Sequence, residues 1–257
     1  MNSRRPFLAA VVMAIAATAP ARVRASTDVE GVGYGGVSGG GWACGPLARS
    51  QYGGVGARVR VAETPARFGG MGWTGEVAAA GEKESTKIVD CRHSCDSTTP
   101  VTAPPTRVML GGHARAGYQW EHFGLEGGAT VYQGWENPDD RSPTVAAFPD
   151  LQLSFGSRET VRGMVGLGSP EVTMLRRPGF YAGADIAAGT VDVEARFGAY
   201  RSGPSLIDGG GDGGNVRGDL VALVPITSGL KVRVGGSLSK DDAGEAGEGS
   251  IGLRGSL

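Results

Sequence analysis

The sequence predicts an all-β chain: a closed, antiparallel, up-and-down transmembrane β-barrel of about twelve strands, ten at the least. The clearest observation is the stretch Gly179 to Arg201. Phe180, Ala182, Ala184, Ile186 and Ala188 share one parity, Val191, Val193, Ala195, Phe197 and Ala199 share the other, and only Gly189 and Thr190 separate them. In a hairpin closed by a two-residue turn the flanking positions pair and face the same side, so the switch of parity keeps every apolar residue on one face. Tyr181, Asp185, Asp192, Glu194 and Arg196 fall on the other face. Two further observations extend this hairpin to the whole chain: the same period-two pattern recurs from residue 27 to the last residue, and its connections alternate between short and long.

Composition narrows the function classes. A net charge of −1 leaves no basic face of the kind that nucleic acid requires, so no nucleic-acid partner is expected. Glycine reaches 46 residues without a fixed repeat, so it reads as thin strand positions and turns rather than as a fibre. At the amino end, Arg4 and Arg5 precede the apolar run Phe7 to Ala19, too short for a membrane helix. Residues 1–25 are therefore expected to be a signal peptide, cleaved after Ala21 or Ala25, leaving 26–257 as a single barrel domain. Ser3-Arg4-Arg5-Pro6-Phe7-Leu8 also fits a twin-arginine export pattern, which carries folded proteins.

The strands follow in order. Val29, Gly31, Gly33, Gly35 and Val37 form the first apolar face. Two glycine patterns in this stretch, Gly31 to Gly36 and Gly36 to Gly40, imitate a dinucleotide fingerprint and a nucleophile elbow. Neither has the following helix that its chemistry needs. Val55, Ala57, Val59 and Val61 oppose Arg58 and Arg60; after a turn at Pro65, Met71, Trp73, Gly75 and Val77 oppose Thr74 and Glu76. Glu82 to Thr106 reads as a long polar loop. It holds Cys91 and Cys95, while Cys44 sits in the loop before Gln51; these three are the disulfide candidates, with the pairing left open. Cys91, His93 and Cys95 fall short of a four-ligand zinc site, so no metal and no cofactor is expected.

Val108 to Trp120 opposes Arg107, His113, Arg115 and Gln119, and after a turn at Glu121 and His122 the run Phe123 to Val131 opposes Glu126 and Thr130. His113 is expected on the polar face and His122 in the turn, neither with a serine or cysteine partner at a telling spacing. Val145 to Phe155 and Val161 to Leu167 form the next hairpin, and Ser169 to Pro178 reads as an outer loop. Ser202 to Asn215 is a glycine-rich loop whose Asp208, Asp212 and Asn215 fit no EF-hand. The last strands, Val216 to Ile226 and Leu230 to Leu238, oppose Arg217, Asp219, Lys231 and Arg233; a loop Asp241 to Gly249 and an alternating end at Leu257 follow.

With its export signal, alternation and loop rhythm, everything after the signal resembles a bacterial outer-membrane β-barrel protein of the Gram-negative envelope, and no motif picks out one family. The resemblance implies an outer-membrane location, lipid and the barrel assembly machinery as partners, and a porin-like, structural or narrow-pore role without catalysis. The lumen-facing charged set is then Arg58, Arg60, Glu76, Arg115, Glu126, Asp192, Glu194, Arg196, Arg217, Asp219, Lys231 and Arg233. Its mixed signs suggest ion-pair ladders that plug the lumen, and its excess of arginine suggests a small anionic solute if it conducts. The alternative is a soluble periplasmic β-sandwich or small-ligand binder, exported folded, with the apolar face buried between two sheets.

Overall fold

A computed structural model describes residues 25–40, 47–90, 107–135, 144–175, 178–201, 214–241 and 244–257. The signal region, the three cysteines, Asp208 and Asp212 lie outside the described residues.

Twelve strands form one closed antiparallel barrel: β1 (Ser26–Gly40), β2 (Leu47–Thr64), β3 (Met71–Asp90), β4 (Arg107–Gln119), β5 (Phe123–Trp135), β6 (Thr144–Gly156), β7 (Val161–Gly168), β8 (Gly179–Ala188), β9 (Val191–Arg201), β10 (Gly214–Thr227), β11 (Leu230–Asp241) and β12 (Gly244–Ser256). Each strand pairs with its sequence neighbours, and β1 closes on β12, from Asp28 opposite Ser256 to Gly39 opposite Glu245. Closure leaves no sheet edge to be satisfied in hydrocarbon. Both described termini lie at one end, where Thr27 and Leu257 exchange backbone hydrogen bonds.

The period-two pattern decides which side is which. Val55, Trp73, Phe180, Leu220, Leu238 and Ile251 stand exposed on the outer wall, while Glu30, Glu76, Arg115, Glu126, Arg217 and Arg233 are buried inside it. A sandwich would bury the apolar set, so the two-sheet sandwich is excluded as an architecture. On the outer wall near the terminal end, Trp73, Tyr118, Trp120 and Phe123 form an edge-to-face and tilted aromatic row, with centroids 5.2, 4.8 and 5.7 Å apart. Rings of this kind belong at a membrane interface.

The structure corrects the sequence reading in three places. Strand β3 runs on through Glu82 to Asp90, its backbone ladder to β2 continuing where the outer face turns polar at Lys83 and Ser85. The final polar loop from Asp241 to Gly249 is instead a tight hairpin: β11 ends at Asp241 and β12 begins at Gly244, so the strict alternation of long and short connections fails there. Finally, residues 169–175 of the connection between β7 and β8 do not stand outside the barrel. They fold into the lumen, with Ser169, Glu171, Val172, Met174 and Leu175 all fully buried.

The inward turn has a local cause. The hydrogen bond from Trp120 N to Phe123 O fixes which β5 groups face β4. Carried across the register from Ala129 to Pro149, it points the Pro149 nitrogen toward β7. Leu151 pairs with Leu167 and β7 ends one residue later, so a proline with no N–H stands where the ladder would have continued. Gly168, at φ +120°, swings the chain inward, and the Asp150 carboxylate accepts the Ser169 amide at 3.4 Å. Ser169 Oγ then donates to the Leu175 carbonyl at 3.3 Å, closing a short strap around the 3-10 turn Val172–Met174.

Candidate functional site: a charged lumen crossed by two inward segments

The polar faces of β1 to β12 meet in the lumen as linked ion pairs. Glu30 on β1 binds Arg58 at 2.5 Å, Arg254 at 2.6 Å and Arg233 at 3.0 Å; Arg254 continues to Glu194 at 2.6 Å. Farther along the same wall Glu76 accepts from Arg115, from Arg60 at 3.1 Å and from His113 Nε2 at 2.9 Å, while Arg60 also reaches Glu126. Arg115 goes on to Asp150 and Gln152, and Arg217 bridges Asp219 and Glu248, both at 2.8 Å. Each guanidinium is thus held by carboxylates on neighbouring or facing strands, which low solvent access makes far stronger than an exposed pair.

Of the charged residues named from the sequence, Glu76, Arg115, Glu126, Asp192, Glu194, Arg196, Arg217, Asp219 and Arg233 are buried, while Arg58, Arg60 and Lys231 are partly open and pair with the buried Glu30, Glu76 and Asp192. The network also contains Glu30, Asp150, Arg162, Asp185, Glu248 and Arg254, which alternation places on the same face. His113 stands on the inner wall beside Glu76 and His122 in the exposed turn. Asn215 lies buried on β10 rather than in a loop. Two further participants come from connections, where no periodicity announces them: Glu171 and Arg158.

Glu171 opens the strap. Its carboxylate lies 3.2 Å from Arg233 Nη2 and 3.9 Å from Arg196 Nε. Val172 packs with Val32 and Ala78, and Leu175 joins the same cluster. The strap is accommodated by Gly56 facing Val172, where a Cβ would collide, and by Gly111 facing Leu175, where a Cβ would press tightly. Burial and the nearby Glu194 carboxylate push the Glu171 carboxyl above its usual range, against the pull of Arg233, Arg196 and Arg58.

At the terminal end the turn between β2 and β3, residues 65–70, bends across the mouth as a latch. The Phe68 carbonyl accepts from both Arg158, at 3.0 Å, and Arg162, while Phe68 N donates to the Arg158 carbonyl at 3.2 Å. Arg67 reaches Asp192 and the Gly189 carbonyl. Arg158 has no carboxylate within bridging distance among the described residues, and burial, then Arg162 and Arg60, push its guanidinium down to about 9. Beside the latch, at the terminal end of the lumen, lies a cavity of about 460 Å³ walled by Glu30, Arg58, Arg60, Glu76, Arg162, Glu194 and Arg254.

Comparison with known proteins adds one fact. No protein-family model matches the chain, and no curated protein matches it. Among solved structures, the translocator domain of the autotransporter NalP from Neisseria meningitidis superposes with a TM-score of 0.51 at 8% identity, over 96% of this chain and 94% of that one. The fold is that of a bacterial outer-membrane β-barrel. The TodX deltaS2S3 mutant, a monoaromatic hydrocarbon channel, matches at 9% identity with a TM-score of 0.46 over 93% of this chain and 90% of that one. The KdgM porin matches at 8% and 0.41 over 88% and 99%. Neither of these two scores bears on function.

The barrel's chemistry is therefore that of its interior. The inner wall offers fixed guanidinium and carboxylate groups and a polar cavity, and two connections, strap and latch, turn into the lumen beside them.

Proposed function

We propose that the chain is a non-catalytic outer-membrane barrel that acts as a narrow conduit for small polar solutes, closed in the state described by strap and latch in series. One observation supports this best: two connections turn into the lumen, one of them walling a polar cavity, whereas a barrel serving structure alone can fill its lumen from the strands. The apolar outer wall and the fold support an outer-membrane location reached through export by residues 1–25. Lipid and the barrel assembly machinery are the matching partners. Once Glu30, Asp150, Asp185 and Glu248 are counted with the arginines, the lumen as a whole favours neither sign. Any preference for an anionic solute is then local, and Arg196 with Arg233 is the place for it.

The test is extraction of the tagged chain from an outer-membrane fraction, a heat-modifiable gel shift, and bilayer recording of the purified barrel. Membrane insertion with small, infrequent openings is expected. Recovery in the soluble periplasmic fraction, with no heat shift, would overturn the proposal.

A further inference from the structure

We infer that Arg196 and Arg233 form a binding site for small carboxylates, occupied in the closed state by the chain's own Glu171. The inference rests on the conduit reading for its biological sense, but its tests do not require current to flow.

Glu171 differs from the carboxylates around it by where it is attached. Glu30, Glu76, Asp185 and Glu194 sit on strands whose backbones are hydrogen-bonded on both sides; Glu171 sits at the start of a three-residue 3-10 turn. It can leave without unpairing the barrel. Its two arginines cannot leave, and need not. Arg233 is also held by Glu30 at 3.0 Å and by Ser250 Oγ at 2.6 Å, and Arg196 by Asp185 at 2.6 Å and by the Ala184 carbonyl at 3.1 Å. A strap that moves out therefore leaves behind two guanidiniums fixed by strands β9 and β11, the kind of prearranged fork that takes a carboxylate.

The hold on Glu171 is also incomplete. Arg196 Nε is buried, has no hydrogen-bond acceptor, and stands 3.9 Å from the nearest Glu171 oxygen, too far for a bond. An unpaired buried N–H favours any ligand that comes closer. Glu194 on the same wall opposes the Glu171 charge, and burial raises the energy of its ionised form. A dicarboxylate such as succinate can bring one carboxylate to the same fork while its other end remains in the polar cavity beside Arg58 and Arg254. Glu171 is thus a tethered competitor, and a solute carboxylate that displaces it also frees the strap.

Two measurements decide. In Glu171→Ala the fork is vacated with a carboxylate-sized space beside it, so acetate should raise the detergent-solubilised barrel's melting temperature by about 2–4 °C. Acetamide, and chloride at equal ionic strength, should not. In the wild-type barrel, succinate well above the roughly millimolar effective concentration of a tethered group should speed hydrogen exchange of strap amides 169–175 several-fold. Succinamide should have no effect, and Arg233→Gln should abolish the response. Acetate acting no better than chloride, or strap exchange indifferent to succinate, would overturn the site. If Glu171→Ala does not assemble, the wild-type exchange measurement decides alone. A site that binds carboxylate in a barrel that never conducts would instead count against the conduit.

Discussion

Strap and latch both bend into the barrel, yet they are fastened in different ways. The latch is held through its backbone: Phe68 gives its N–H to one turn and its carbonyl to two arginines, and Arg67 ties it to a third connection. The strap is held by one carboxylate, one serine amide and three apolar side chains, two of them seated over glycines. Backbone fastening on several elements makes a part of the frame; side-chain fastening on one charged group makes something that a competing charge can release. The latch is therefore the static closure and the strap the one that a solute can release.

The comparison breaks first if the charges framing both segments see bulk water. Glu194 lies within the inner network beside Arg254 and close to the strap, whereas Glu245 pairs with Lys240 at 3.4 Å with both side chains largely exposed. Glu194→Ala is expected to cost about 3–5 kcal/mol, the loss seen when one partner of a buried pair is removed, visible as a lower heat-shift temperature. Glu245→Ala should leave that temperature unchanged. Equal, small effects of the two would mean that the polar face is not a lumen.

Next in size is the latch itself. Arg162→Ala removes one of the two donors on the Phe68 carbonyl and one of the two arginines on Asp185, so a loss of about 2–3 kcal/mol is expected by urea unfolding in detergent. Strap exchange should hardly change. Equal loosening of strap and latch in this variant would show one cooperative plug instead of two separate parts.

A smaller effect should come from the hinge of the strap. Gly168 has φ +120°, and an added Cβ would stand 2.6 Å from the Asp150 carboxyl carbon. Gly168→Ala is expected to cost about 1–2 kcal/mol and to speed exchange at Ser169 and Val172 without touching the latch. Unchanged exchange would mean that the inward turn does not depend on this glycine.

What was legible in the sequence follows from what period two can encode. Alternation gave the strand hairpins, the closing of the first strand on the last and the inner face, because a one-residue slip would have turned Glu194 and Arg233 outward. It stopped at Glu82 only because Lys83 and Ser85 occupy outer positions where lipid no longer selects for apolar side chains. Strap and latch were not legible, since a connection carries no period. Two features hint at the strap: Pro149, an odd choice for a strand interior unless its neighbour ends there, and the apolar run Val172, Met174 and Leu175 in what would otherwise be a solvent loop. Arg158 and Phe68 gave no such signal, for their meeting depends on which turns the barrel brings together at one mouth.

The central claim, two closures in series across one polar lumen, is tested most directly by single-channel recording of four barrels: wild type, the strap variant Glu171→Ala, the latch variant Arg158→Ala with Arg162→Ala, and all three substitutions combined. Barriers in series predict that each single release leaves conductance near the wild-type level and that the combined variant conducts about tenfold more, the ratio that about 1.4 kcal/mol of barrier represents. A strap variant that conducts as well as the combined one would contradict the latch as a barrier, and a combined variant that stays silent would contradict the conduit.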